Sequence, residues 1–431
     1  MNVTNTQYAV RNTFHVSRFT HPATVAGVVG LIYLGFLAWA WGPFGGDVEA
    51  FIHQGTVWLH PERQGTNGYD GQFYYYIALH PLHAVQFLDL PSIRLQRIFY
   101  PLLIDLVALG QRPLMPYAML LINWLAVVGG TWGVARLLAG WGRNPWFALA
   151  YALVSGIPLA LTFDTPEPLA FALVILAITL WNAECGMRNA ELGSTTTTTA
   201  TTTDTSTDTR FTFYVLRFTF YVSPLALASL VFALALLTRE HTAYFVLAFA
   251  GAAFLRRDWR GVAAAALAFV PVTLWGIALT VLLGKVSVAQ VQPFETIPFI
   301  TYWVQGNLVD PTPRSAGYAL QYIVPTTLFG LLALGGLLRA PLLWLRTRAW
   351  LPPSALLLAV LGNTHLMTFL PRLGYQHQVA VSRYMLGLAL AAVLWAGASR
   401  PRWLLWLTPL FLLSLIAYAY GLFTHDPAYL W

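Results

Sequence analysis

The stretch Gly68, Tyr69, Asp70, Gly71, Gln72, Phe73, Tyr74, Tyr75, Tyr76 sets a lone carboxylate among aromatic rings. Its glycines let the backbone turn sharply and approach a ligand closely, Asp70 can accept a proton, and the tyrosines suit a water–lipid boundary. An ordinary turn followed by an interfacial aromatic belt would use the same residues. Further acids are available for proton transfer: Asp47 and Glu49 upstream, and Asp164 and Glu167 within Thr162-Phe163-Asp164-Thr165-Pro166-Glu167-Pro168. Asp164 can cap a helix starting near Pro166, and Glu167 then falls in its first turn, where the helix dipole favours a carboxylate. Both can equally face a cleft. Thr238-Arg239-Glu240-His241 lies between two apolar runs in so short a loop that its ionised groups sit near membrane depth, where charge is costly unless paired or functional. A plain Arg239–Glu240 ion pair at a tight turn is the simpler reading. Arg372 and Arg383 can hold a phosphate bidentately or merely snorkel.

Other chemistries find little support. His53, His60, His80 and His83 share a segment with Asp47 and Glu49, but no HExxH or comparable metal spacing occurs, so no metal is assigned and no cofactor is expected. Walker, GxGxxG and GxSxG patterns are absent, leaving nucleotide hydrolysis, dinucleotide redox and serine-hydrolase chemistry without a motif. The single cysteine, Cys185, excludes an intrachain disulfide.

The elements that must position these residues are membrane helices. A 431-residue chain that is 57% apolar and 10% charged, with mean hydropathy +0.60, reads as all-α and polytopic. The net charge of +7 does not indicate nucleic acid, because the arginines sit in short loops between apolar runs and act as topology signals. About eleven spans are expected, within Ala23–Trp41, Leu114–Leu138, Trp146–Phe163, Leu169–Ala183, Pro224–Leu237, Thr242–Leu255, Val262–Leu283, Ala319–Leu338, Leu351–Leu370, Tyr384–Ala398 and Trp403–Phe423. Residues 42–113 form a long first loop in which Val48, Phe51 and Ile52 suggest a surface helix. The run from Arg97 to Gly110 covers only ~21 Å at ~1.5 Å per residue, and it carries Arg97 and Asp105, so it is read as an in-plane or re-entrant helix. Keeping it outside places most of the basic residues in cytoplasmic loops, with the amino terminus inside and the carboxyl terminus outside a cell membrane of prokaryotic type. The same choice sends Asp47, Glu49, Asp70, Asp164, Glu167 and Glu240 to the outer face together with Arg239, Arg372 and Arg383. From 184 to 223 the composition shifts to a threonine tract and a tandem RFTFYVL/RFTFYVS heptad, expected to be a disordered cytoplasmic insertion.

One span, a long loop with GYDGQFYYYIA, a surface helix RIFYPLLIDLVALG and then many spans resembles the GT-C superfamily of integral-membrane glycosyltransferases. Within that superfamily it is similar to the bacterial PIG-V-like and polyprenyl-phosphate-sugar-dependent transferases. DTPEPLAFAL and LLTRE are similar to stretches in the same proteins. The resemblance implies inverting transfer of a sugar from a polyprenyl-phosphate carrier to a glycan, lipid or protein acceptor at the outer face. Asp70 matches the first-loop acid and would be the general base. Tyr69, Gln72, Tyr74 and Tyr100 would lie at the substrate, and the donor phosphate would meet Arg97, Arg239, Arg372 or Arg383, with Glu240 beside them. His80 stands before Pro81 where the resemblance leads one to expect an acid, which weakens any metal site in this loop. A transporter or flippase of a lipid-linked glycan is the main rival, and it would require inverted repeats and acids at mid-membrane. A non-catalytic membrane scaffold is the third reading.

Overall fold

The computed structural model describes residues 21–42, 45–58, 65–81, 83–194, 223–284, 319–347, 353–369, 378–399 and 401–423. Among them every regular element is helical. Pro22–Trp41, Arg112–Gly140, Glu167–Glu184, Trp259–Leu283, Gln321–Arg339 and Val381–Ala398 are long and apolar enough to cross a bilayer. The pair Pro145–Ala152 and Gly156–Thr162, bent by 55°, adds one more if taken as a broken span. Pro224–Thr238, Glu240–Leu255, Ser354–Thr368 and Arg402–Ile416 are apolar but shorter. The chain is a polytopic helical membrane protein, and among the described residues six helices pass as spans by length and composition, seven with the bent pair, against the eleven expected.

The first helix, α1 (Pro22–Trp41), starts where Pro22 supplies a preset φ and the His21 ring accepts from the Ala23 amide at 3.3 Å. The segment after it carries three short helices, α2 (Gly71–Leu79), α3 (Pro91–Gln96) and α4 (Phe99–Val107). At ~1.5 Å per residue α4 is only ~14 Å long, about half a hydrocarbon core. It buries Tyr100, Pro101 and Ile104 while exposing Leu102, Leu106 and Val107, the two-faced pattern of a helix lying along a boundary. The next long helix, α5 (Met115–Gly140), begins beside the end of α1, the rings of Trp41 and Tyr117 being 6.3 Å apart. The segment thus leaves and re-enters the bundle at one end. The helix suggested around Val48 is a five-residue 3-10 turn, Val48–Ile52, held by Asp47, which accepts from the Glu49 amide at 2.9 Å.

After α5 come α6 (Leu149–Ala152), α7 (Gly156–Thr162) and α8 (Glu167–Ser194). The bend between α6 and α7 frees backbone groups that need partners at membrane depth. The Ser155 amide donates to Ser414 Oγ at 3.1 Å, and Tyr33 Oη donates to the Ala152 carbonyl at 2.7 Å. Gly156 allows the bend to dock, since a Cβ there would strike the backbone carbonyl of Ser382. The end of α8 departs from expectation: it stays helical through Ser194, past the composition change at Glu184. The threonine tract and heptads lie outside the described residues.

The chain continues through α9 (Pro224–Thr238), α10 (Ala243–Leu255), α11 (Trp259–Leu283), α12 (Val324–Thr347), α13 (Pro353–Thr368), α14 (Gln378–Ala398) and α15 (Leu413–Phe423). Ser223 caps α9, accepting from the Ala226 amide at 3.2 Å, and Gly284, with φ 61°, closes α11 in the left-handed conformation. The hub is α14, whose apolar window is 89% buried, against 11% for α11 at the periphery.

Candidate active site

The site grows from the two glycines around Asp70. Gly68 has φ 64°, and a Cβ on it would meet the His53 carbonyl and the Gly55 amide, so only glycine lets this strand of chain lie so close. A Cβ on Gly71 would strike the Phe163 carbonyl, which is why the first turn of α2 can sit directly on the turn joining α7 to α8. Aromatic contacts seal that junction: Phe163 lies 4.6 Å from the Tyr69 ring and 4.4 Å from His53. Gln72, expected at the substrate, braces the loop, accepting from the Gly55 amide and donating to the Asn67 carbonyl, each at 2.8 Å.

This seating brings Asp70 into a buried ionic cluster. One of its oxygens is 2.8 Å from Arg94 on α3, the other 2.9 Å from Arg383 near the start of α14. Arg94 also binds Asp89 through two 2.8 Å contacts. Across the cluster, Arg239 at the end of α9 pairs with Glu167 at 3.0 Å, their side chains 1% and 0% exposed, and Arg383 Nε stands 3.5 Å from the same Glu167 oxygen. Arg97 forks onto Glu240 at 2.8 and 2.6 Å and donates to Tyr74 Oη at 3.0 Å. Tyr100 meets Tyr74 edge to face at 5.5 Å and accepts from Asn123 Nδ2 at 2.9 Å. The Arg239–Glu240 pair that a tight turn would favour is replaced by two long-range pairs, because each residue finds a better-placed partner on another element.

The electrostatics follow from this arrangement. Burial works to raise the Asp70 carboxyl, but the guanidinium groups of Arg94, Arg383, Arg97 and Arg239 outweigh it and hold it well below the usual carboxylate range. Asp164 is the opposite case: buried with φ 46°, it has no hydrogen-bond partner on either oxygen, and burial pushes it well above the usual range into its neutral form. It therefore does not cap α8, as the sequence suggested. Burial also lowers His53 to about 4, against the opposing pull of the Thr162 carbonyl 3.1 Å from its Nε2.

Asp47 and Glu49 do not join the ionic cluster. They line a cavity of about 640 Å³ beside it, with His53, Asn67, Tyr69 and Phe163. His60 and Arg372 lie outside the described residues. Among the described residues no three of His, Cys, Asp and Glu come together in a group able to hold a metal ion. Sequence reasoning missed Arg94 and Asp89. The signal available was the spacing of Arg94 and Arg97, three apart, one in the last turn of α3 and the other at the residue that ends it.

No protein-family model, no curated protein and no solved structure matches this chain. The chemistry of the site has to be read from its own geometry. Four guanidinium groups and an ionised carboxylate converge next to an aromatic-lined cavity, a set suited to holding an anionic leaving group while an adjacent carboxylate takes a proton.

Proposed function

We propose that this chain is a membrane glycosyltransferase of the GT-C type, moving a sugar from a polyprenyl-phosphate-linked donor to an acceptor hydroxyl at the extracytoplasmic face with inversion. The observation that carries the reading is the position of Asp70. It directly follows Gly68 and Tyr69, which line the cavity together with Phe163 and His53, and it is itself bound by Arg94 and Arg383 of the arginine cluster. An acceptor hydroxyl entering from the cavity gives its proton to Asp70 as its oxygen attacks the anomeric carbon. The bond from that carbon to the phosphate oxygen breaks, and arginine stabilises the charge left on the lipid phosphate. Aromatic faces at Tyr69 and Phe163 suit the apolar face of a sugar-like acceptor.

A second cavity, of about 570 Å³ between α9 and α11, supports a lipid-borne donor. It is lined by Leu236, Phe269, Trp275 and Ile277, with Gln96 and Glu240 at the end that meets Arg97. In this reading the chain crosses the membrane eleven times, α3 and α4 rest at the outer leaflet, and the amino terminus is cytoplasmic, as the loop arginines require.

Purified protein in lipid discs, supplied with polyprenyl-phosphate sugars and candidate acceptors, tests the reading. The wild type should transfer sugar and Asp70→Asn should lose at least a hundredfold in rate, the ordinary worth of a general base, ~10²–10⁴. Undiminished turnover in that variant removes the assigned base, and lipid-linked glycan flux without any transfer replaces the enzyme with a transporter.

A further inference from the structure

Both oxygens of Asp70 are already occupied by guanidinium groups, Arg94 on one and Arg383 on the other. A carboxylate so clamped is a poor proton acceptor. Counting charge sharpens the point. Arg94, Arg97, Arg239 and Arg383 face Asp70, Asp89, Glu167 and Glu240, four cations against four anions, so the ligand-free cluster is neutral as a whole. Its valences are unevenly used. Arg97 engages all three nitrogens, with Glu240 and Tyr74. Arg239, 1% exposed, keeps Nε and Nη1 without a hydrogen-bond partner, and Arg383 keeps Nε without one. Buried guanidinium nitrogens without acceptors are costly, and a phosphate oxygen meets that need better than any neutral group.

We propose that the donor phosphate seats on Arg239 and Arg383, drawing Arg383 away from Asp70, and that this hand-over unmasks Asp70 as the base, so that donor binding must precede proton abstraction. The inference rests on the function proposed above and assigns the phosphate among its arginines. A phosphodiester brings one negative charge into a neutral cluster; seated on the free Nε and Nη1 of Arg239 it leaves Nη2 to Glu167, whereas Asp70 gives up its 2.9 Å contact with Arg383, so Asp70 is the carboxylate placed to restore the balance by taking a proton. In turnover that proton comes from the acceptor: the acceptor oxygen bonds to the anomeric carbon, the carbon–phosphate oxygen bond breaks, the phosphate leaves with a second negative charge, and the proton stays on Asp70. The groups facing Asp70 are Arg94 and Arg97 from α3 and its end, Tyr69 and Tyr74 from the loop and α2, Arg239 from α9, Glu167 from α8 and Arg383 from α14, with Asp89 and Glu240 behind the arginines.

The test is calorimetric. A polyprenyl methyl phosphodiester, whose single charge does not titrate, is bound to the full chain in lipid discs between about pH 4 and 6 in buffers of different ionisation enthalpy. Binding should take up as much as one proton, the affinity should rise as pH falls, and Asp70→Asn should bind without uptake. Should that variant fail to fold, a protonated-carboxyl infrared band appearing in the wild type on addition of the diester gives the same answer. Binding without proton uptake, or uptake unchanged in Asp70→Asn, overturns the hand-over and leaves the transferase reading standing. No binding at all overturns the donor class itself.

Discussion

Glu167 offers the sharpest quantitative test of the cluster. Its carboxylate is fully buried 3.0 Å from Arg239 and 3.5 Å from Arg383. At an effective dielectric of about 20 the closer pair alone is worth roughly 5 kcal/mol of attraction before desolvation, and removing one partner of such a buried pair costs about 3–5 kcal/mol. Glu167→Gln keeps the shape and deletes the charge, leaving the neutral cluster one positive charge in excess. Stability should therefore fall by about 3–5 kcal/mol in the ligand-free protein. The phosphodiester that neutralises the excess should now bind more tightly than to the wild type, so its stabilisation of the variant should be the larger, by linkage. Thermal unfolding followed by intrinsic tryptophan fluorescence, with and without the diester, measures both quantities, and the chain's seventeen tryptophans give ample signal. A Glu167→Gln protein as stable as the wild type, gaining no more from the diester, would show that this charge does not balance Arg239 and Arg383.

Gly71→Ala should destabilise by about 1–3 kcal/mol, the usual cost of forcing an atom into a packed contact, because its Cβ strikes the Phe163 carbonyl. Denaturant titration checks this, and the same change should displace Asp70 and depress transfer. Arg97→Lys should weaken the link between α3 and α9 by more than 1 kcal/mol, since one ammonium cannot reproduce a two-pronged contact with Glu240 together with the bond to Tyr74. The His53 ring, lowered from 6.5 to about 4, binds fewer protons folded than unfolded, so its contribution is full above about 6.5 and is lost as pH falls toward 4, about 3 kcal/mol in total. His53→Phe should flatten stability over that window in pH-dependent unfolding. With Cys185 replaced, a cysteine at Asp47 should react with an impermeant maleimide from outside and one at Asp258 only from inside. Asp47 reacting only from inside would reverse the orientation.

What the sequence made legible is what depends on long runs. Apolar stretches announce helices whatever surrounds them, and the charged interruptions Gly68–Gly71, Asp164–Glu167, Thr238–His241 and Ser382–Arg383 mark where buried polar groups gather. Pairing was not legible, because it is decided between distant elements. Asp164-Thr165-Pro166-Glu167 has the spacing of a capping box, acid at the cap and glutamate three residues on. In the fold Glu167 instead lies against Arg239 and Arg383, and Asp164 is buried without a partner. A buried ion pair outweighs a local cap worth about 1 kcal/mol. The Asp89–Arg94 pair was not legible because the two are five apart with Pro91 between them, which is no helical period, yet the turn before α3 folds one onto the other. The hold of Gln72 on Gly55 was equally invisible, because nothing in the sequence says that those two segments lie together.

The proposed count of crossings and the contacts of the site constrain each other. Asp70 touches Arg383, and Glu167 touches Arg239, so the end of the bundle reached after α1 is also reached after α7, after α9 and before α14. Two passages separate the Asp70 loop from Glu167, α5 and the bent pair. Among the described residues, α8 and α9 lie between Glu167 and Arg239, and α10 to α13 lie between Arg239 and Arg383. The opposite end gives the same parity: Arg143, after α5, donates to the carbonyls of Gly397 and Ser399 at 3.0 and 2.5 Å, at the far end of α14. Were the fifteen-residue α9 to turn back before traversing the bundle, Arg239 would emerge at the wrong end and its 3.0 Å contact with Glu167 could not form. Under the proposed topology, short helices such as α9 and α10 count as full passages, because they deliver a charged residue to the shared end. A helix of fifteen residues covers only ~22 Å against a hydrocarbon core of ~30 Å. The deficit is tolerable where the helix ends in polar groups that are themselves paired, as Arg239 is, so the ionic cluster shortens the path that the chain has to span.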